Sequence, residues 1–325
     1  MVQAANERQD GAEVVNARAA IPAALILVIS LVLSLVLSLA VEFALMAASV
    51  GAALAATTAS SAPAVPMPSA AAQPPCGGAE IARGEVGRVV DGRDFVLADG
   101  RAVHLAGIEV PLTGLPRQSG AAPGGAAARK ALAALLAGAR VVLRRVRSSS
   151  DRYGRIVAYV DALRGNSERS VQAELVAAGF ARVGADVEDR DCAGELLRRE
   201  IAARRAKRGL WVDSYYDPLP ADDPAEILAR RGRFALVEGK VVSVHASRAI
   251  LYVNFGRHWW RDFSVTVRKR NETRFAAAGL NLKDLAGRRV RVRGFVEARG
   301  GPGVMPWYAP WIEVAYPDEI EPADR

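Results

Sequence analysis

The feature that most constrains this chain is an apolar run from Ala20 to Val41, interrupted only by Pro22, Ser30, Ser34 and Ser38. At about 1.5 Å per residue, a helix of that length spans a hydrocarbon core of about 30 Å. A secretory signal has an apolar stretch of only about 7–15 residues behind a brief basic start. Here a long segment of mixed charge comes first. We therefore expect one retained transmembrane helix over residues 20–41. The Ala-rich residues 47–56 keep signal cleavage, and so secretion, as the alternative. Arg8 and Arg18 precede the run, and the next basic residue is Arg83. Positive charge stays cytoplasmic, which predicts residues 1–19 inside, a single pass through the inner membrane, and all later residues periplasmic.

Residues 42–75 are rich in Ala, Pro and Ser, with five prolines between Thr57 and Pro75. Such a stretch buries little and reads as an extended linker. Two cysteines in 325 residues exclude a disulfide-dense scaffold and a four-cysteine zinc site, and three histidines leave little for a His-rich metal centre. In an oxidising compartment Cys76 and Cys192 are expected as a disulfide rather than as free thiols. Closing a loop of that size contributes about 4–5 kcal/mol by the chain-entropy argument.

From Glu85 the pattern becomes β. Val86, Val89 and Val90 lead into Asp91-Gly92, Phe95 to Leu97 lead into Asp99-Gly100, and a strand over Ala102 to Ile108 follows. Residues 126–137 read as a helix ended by Gly138. Further strands are expected over Val141 to Leu143 and Ile156 to Val160, and helices over Glu168 to Ala178 and Cys192 to Lys207.

Val89-Val90-Asp91-Gly92, Leu105 to Pro111, Asp151-Arg152-Tyr153-Gly154-Arg155 and Gly209-Leu210-Trp211 carry a resemblance to the thermonuclease (staphylococcal nuclease-like) family over residues 84–212. The resemblance implies an OB barrel with packed helices and calcium-dependent cleavage of DNA and RNA. Such chemistry needs a hard cation on oxygen ligands, cations on the phosphate and a carboxylate beside the attacking water. The family's first metal carboxylate falls on Arg93, with Asp94 one step along and so on the opposite strand face. Its second falls on Glu109, its first phosphate arginine on His104, and its general base on Leu112. Its last phosphate arginine is retained as Arg155. A lost general base alone removes about 10²–10⁴-fold in rate.

Residues 217–232 read as a connector, residues 233–318 as a basic domain and residues 319–325 as a tail. Residues 233–325 carry 16 basic and 10 acidic side chains, more positive per residue than the rest of a chain of net charge +8. Expected strands cover Phe234–Val244, Ala249–Phe255, Asp262–Arg268, Arg288–Glu297 and Trp311–Ala315, with a short helix over Asn271–Ala278. This order also fits an OB-like barrel. Arg289-Val290-Arg291-Val292-Arg293 alternates, placing valines inward and arginines outward. Tyr252, Phe255 and Phe263 read as barrel filling, with at least one of the adjacent Trp259 and Trp260 exposed, and Gly300 to Pro310 as a loop. The mixture of Arg257, Trp259, Trp260, Arg261, Arg268, Lys269 and Arg270 suits single-stranded nucleic acid, which takes stacking faces and cations.

The fold class expected is therefore mainly β with α: a transmembrane helix, a thermonuclease-like OB domain over 76–216 and a second OB-like barrel. The function expected is a catalytically inactive module that binds nucleic acid, another polyanion or an envelope protein, without cofactor. Two alternatives stand beside it. One is a divergent phosphodiesterase holding calcium on Asp94 and Glu109 with His104 as base; the other is a structural cell-envelope factor.

Overall fold

The structure, a computed structural model, describes residues 76–111, 124–185, 187–301 and 305–323. The expected membrane helix, the linker and Leu112 lie outside the described residues. Among the described residues no helix is long and apolar enough to cross a membrane.

The first half runs β1 (Glu80–Val89), β2 (Asp94–Leu97), β3 (Ala102–Leu105), β4 (Ile108–Glu109), α1 (Gly125–Leu136), β5 (Arg140–Arg144), β6 (Ile156–Arg164), β7 (Ser167–Ser170), α2 (Val171–Ala177), β8 (Arg182–Val183) and α3 (Arg190–Arg205). Its main sheet has the order β3-β2-β1-β5-β6-β7, and β3 also pairs in parallel with β6. One strand was expected over 102–108. Instead Gly107, at φ +71°, turns the chain between β3 and β4, and a Cβ there would sit 3.1 Å from the Tyr159 ring. Leu105, Val141, Leu143, Val160 and Leu175 fill the core beneath α1 and α2. Cys76 and Cys192 form a disulfide with Cα atoms 4.5 Å apart, tying the start of the described chain to α3.

The helix expected from Glu168 starts only at Val171. Residues 167–170 pair back onto β6, and the Ser170 hydroxyl caps α2 by accepting from the Ala173 amide at 3.3 Å. This keeps Glu168 on the sheet, where it accepts from Arg144 Nη2 at 2.5 Å, while Arg144 Nε pairs with buried Asp161. Burial pushes the Asp161 carboxyl up from 3.8 to about 6, against the pull of Arg144. The folded state therefore holds a proton that the unfolded chain has already released. Stability from this group is full below about pH 4 and falls as pH rises toward about 6, by up to about 3 kcal/mol. Asp161→Asn is expected to flatten the stability–pH curve over that window in urea titrations. An unchanged slope rules the assignment out.

The second half runs β9 (Leu219–Pro220), α4 (Pro224–Leu228), β10 (Phe234–Lys240), β11 (Ser243–Ala246), β12 (Ile250–Asn254), β13 (Ser264–Arg268), α5 (Glu272–Ala277), β14 (Arg289–Phe295), β15 (Glu297–Gly301), β16 (Met305–Val314) and β17 (Ile320–Pro322). Two sheets, β17-β14-β10-β9 and β11-β12-β13-β16-β15, enclose Val237, Leu251, Val253, Val265, Phe275, Val292 and Ile312.

Three expectations are corrected here. The connector is part of the fold: Leu219 pairs with Val237, Asp223 caps α4 by accepting from Glu226 N, and Leu219 and Ile227 are buried. Of residues 300–310, expected as a loop, those described (300–301 and 305–310) are strand, and β15 and β16 pair antiparallel through Arg299 and Ala309. The arginines of β14 do not all face solvent: Arg289 is exposed, but Arg293 is 1% exposed. It is covered by α3 of the first half, where it meets Glu200. A third apolar cluster of Ala203, Leu210, Trp211, Tyr216, Phe234 and Leu236 also joins the halves, and the described residues belong to one compact unit.

Candidate functional site

The site begins with a turn. Asp91 Oδ1 accepts from the amides of Arg93 and Asp94, both at 2.8 Å, which ends β1 and sets Arg93 at the entrance of β2. Adjacent residues then diverge. Arg93 Nη1 donates to Glu109 Oε2 at 2.9 Å, both half-buried. Asp94 is buried, and its cross-strand neighbour on β3 is His104. Asp94 Oδ1 lies 2.6 Å from His104 Nδ1, and Oδ2 accepts from Arg155 Nη1 at 2.7 Å.

Arg155 is fixed from its own turn. Asp151 Oδ1 accepts from the amides of Tyr153 (2.9 Å) and Arg155 (3.0 Å), while Oδ2 accepts from Arg155 Nε at 2.6 Å. Gly154, at φ +73°, supplies the left-handed residue this turn requires. Burial works against the Arg155 charge, but Asp151 and Asp94 outweigh it and hold its pKa above the ordinary value.

These residues do not fit a calcium ion. Calcium takes six to eight oxygens at about 2.3–2.6 Å. Glu109 faces a guanidinium instead, and both Asp94 oxygens are engaged by His104 and Arg155. Among the described residues no group of three or more His, Cys, Asp and Glu side chains is placed to hold a metal. Asp94 and Glu109, paired from sequence as alternative ligands, belong to two separate charge clusters.

Beside Arg155 runs a groove of about 740 Å³, lined by His104, Arg145, Arg147, Arg152, Tyr153 and Arg155 among others. Tyr153 is 68% exposed, with the guanidinium carbons of Arg152 and Arg155 at 4.9 and 5.3 Å from its ring centroid. Arg147 lies 3.6 Å from Glu188; Arg145 and Arg152 make no ion pair among the described residues. Of these lining residues, sequence reasoning gave a site role to His104 and Arg155. The cluster Arg144-Arg145-Val146-Arg147 just before Asp151 was the signal for the rest.

The basic-aromatic set of the second half does not form one patch. Arg257, Trp259, Trp260 and Arg261 lie in the loop before β13, whereas Arg268, Lys269 and Arg270 leave its far end. Trp259 and Trp260 are both exposed and edge-to-face at 6.0 Å, and Arg261 lies 3.4 Å from Asp262. Arg268 donates to Glu313 at 2.5 Å. Phe255 and Phe263 are core, but Tyr252 is not: Leu251 and Val253 take the inward positions, so alternation turns Tyr252 out.

Residues 102–213 match the model of the family described as staphylococcal nuclease homologue. The matched segment contains His104, Glu109, Asp151 and Arg155, while the turn holding Arg93 and Asp94 lies just before it. No curated protein matches the chain.

Proposed function

We propose that this protein, whose residues 102–213 match the staphylococcal nuclease homologue family model, binds single-stranded nucleic acid in the Arg155 groove and does not cut it. The observation that carries the reading is the ion pair between Arg93 and Glu109, which sets a fixed cation where hydrolysis needs a divalent one. Binding needs no metal. Cations along a groove follow a phosphate backbone, and an exposed ring such as Tyr153 stacks on a base at about 1–3 kcal/mol. The pairing of edge strand β3 with β6, which closes five strands of the first sheet on themselves, supports an OB-type barrel, and the strand order of the second half supports another. The run Ala20–Val41 supports tethering to the cytoplasmic membrane with the N-terminus inside. The disulfide supports an oxidising location for the folded part.

Full-length protein in detergent, titrated with a labelled single-stranded oligonucleotide, tests this. Affinity is expected to fall with salt at a log–log slope of about −2 to −3, for three or four phosphates contacted. Incubation with calcium is expected to leave the oligonucleotide intact. Binding indifferent to salt points to a protein partner and overturns the reading. So does calcium-dependent cleavage that Glu109→Ala abolishes.

A further inference from the structure

The sheet β11-β12-β13-β16-β15 carries on its outer face a groove of about 630 Å³, within the range of small-molecule sites. Strand alternation builds it. Leu251, Val253, Val265, Val267, Ile312 and Val314 point into the core, so Tyr252, Thr266, Trp311 and Glu313 stand on the other side. Tyr252 is the cross-strand neighbour of Thr266, which neighbours Glu313 in turn. Arg299 crosses this face from β15, donates to the Ser264 hydroxyl, and holds its guanidinium carbon 5.4 Å from the Tyr252 ring centroid.

Three polar groups of this floor are shielded from solvent and make no hydrogen bond within the described protein: Thr266 Oγ1, Trp311 Nε1 and Arg299 Nε. Thr266 is only 5% exposed. Buried donors left unmade are costly, and three bordering one groove are a donor set in search of an acceptor. Charge points the same way. Arg268 is paired with Glu313, but Arg299, Lys269 and Arg270 make no ion pair among the described residues. Burial lowers the Arg299 pKa, with only Tyr252 opposing it. The groove thus has an uncompensated charge of three beside two aromatic walls, which matches a dianion joined to a flat ring better than a monoanionic carboxylate.

We propose that this groove binds a nucleoside monophosphate, its base against Tyr252 and Trp311 and its phosphate oxygens on Arg299, Thr266 and the Trp311 N–H. Lys269 and Arg270 at the mouth contribute attraction rather than geometry. The site is separate from the Arg155 groove and does not depend on how that groove is used.

Equilibrium dialysis of full-length protein in detergent against labelled adenosine 5′-monophosphate is the test. Adenosine alone and inorganic phosphate are each expected to bind at least about tenfold more weakly, because each forfeits either the charged hydrogen bonds or the stacking. Arg299→Gln is expected to weaken nucleotide binding about tenfold or more. Trp311→Phe, which keeps the ring and removes the donor, and Thr266→Val are each expected to weaken it by about threefold. Unchanged melting temperatures separate these effects from misfolding, and the near-isosteric Trp311→Phe remains informative if Arg299→Gln does not fold. The proposal is overturned by nucleotide binding that survives both Arg299→Gln and Trp311→Phe. It is equally overturned by no binding at millimolar nucleotide, or by benzoate binding as tightly as the nucleotide. None of these outcomes touches oligonucleotide binding at Arg155, so the two sites fail separately.

Discussion

Glu200→Ala is expected to lower the free energy of unfolding by about 3–5 kcal/mol, a large share of what a domain of this size has in total. Glu200 on α3 is fully buried. It receives both terminal nitrogens of Arg293 from β14, each at 3.1 Å, and the Val183 amide at 2.6 Å. Arg293 also donates to the Val183 carbonyl at 3.1 Å and to Glu321 at 2.8 Å. Burial raises the cost of the Glu200 charge, yet Arg293 and the Val183 amide outweigh it and hold the carboxyl below its ordinary range. Removing the carboxylate leaves a guanidinium that is 1% exposed with Glu321 as its remaining ionic partner, and most of the expected loss comes from that under-compensated charge and the hydrogen bonds it loses.

Arg293→Met should cost a similar amount for the same reason. The double variant Glu200→Ala/Arg293→Met should cost clearly less than the sum, with a coupling of about 2–3 kcal/mol. Recovery stays incomplete because the Val183 amide and carbonyl lose partners, whereas Glu321 keeps Arg291 at 3.7 Å. Denaturant midpoints of the four proteins decide it. Additive costs mean that Glu200 and Arg293 act independently and that the ion pair is not what joins α3 to β14.

The same strand shows how far the sequence could be read. Alternation in Arg289–Arg293 predicted valines inward, and Val290 and Val292 are buried. It also placed the arginines outward, which holds for Arg289 and fails for Arg293. Periodicity along one strand reports which side chains share a face; it is silent on what covers that face. The cover here is a helix about ninety residues earlier in the chain, carrying Glu200. Residues 217–232 were missed for a related reason: the buried apolar residues Leu219, Ala221 and Ile227 were outnumbered by polar and Pro residues. By contrast, the divergence of Arg93 and Asp94 needs nothing beyond two neighbouring positions where the turn enters β2. Their partners, Glu109 and Arg155, come from distant segments and were approached through the family resemblance. That resemblance gave Arg155 a free phosphate-binding role, and missed that it is already held by Asp94 and Asp151.

The electrostatics of Arg93 can be inverted by one substitution, Arg93→Asp. Arg93 Nη1 now sits 2.9 Å from Glu109 Oε2. A carboxylate at position 93 would replace that attraction with repulsion between two half-buried anions, so the variant without metal should be less stable than the parent. A divalent cation relieves the repulsion. With an affinity of about 10⁻³ M, typical of a weak oxygen site, 10 mM calcium stabilises the folded variant by roughly 1.4 kcal/mol. That is a rise of about 3–6 °C in melting temperature for a chain of this size. The parent, whose Glu109 is already engaged by Arg93, is expected to melt at the same temperature with or without calcium. Cleavage should stay undetectable in the single variant, because position 112, where the family resemblance implies the general base, is a leucine and cannot accept a proton from water. A calcium-induced rise in the parent equal to that in the variant removes the argument that Arg93 keeps a divalent cation out, since the ion would then be binding with the guanidinium in place.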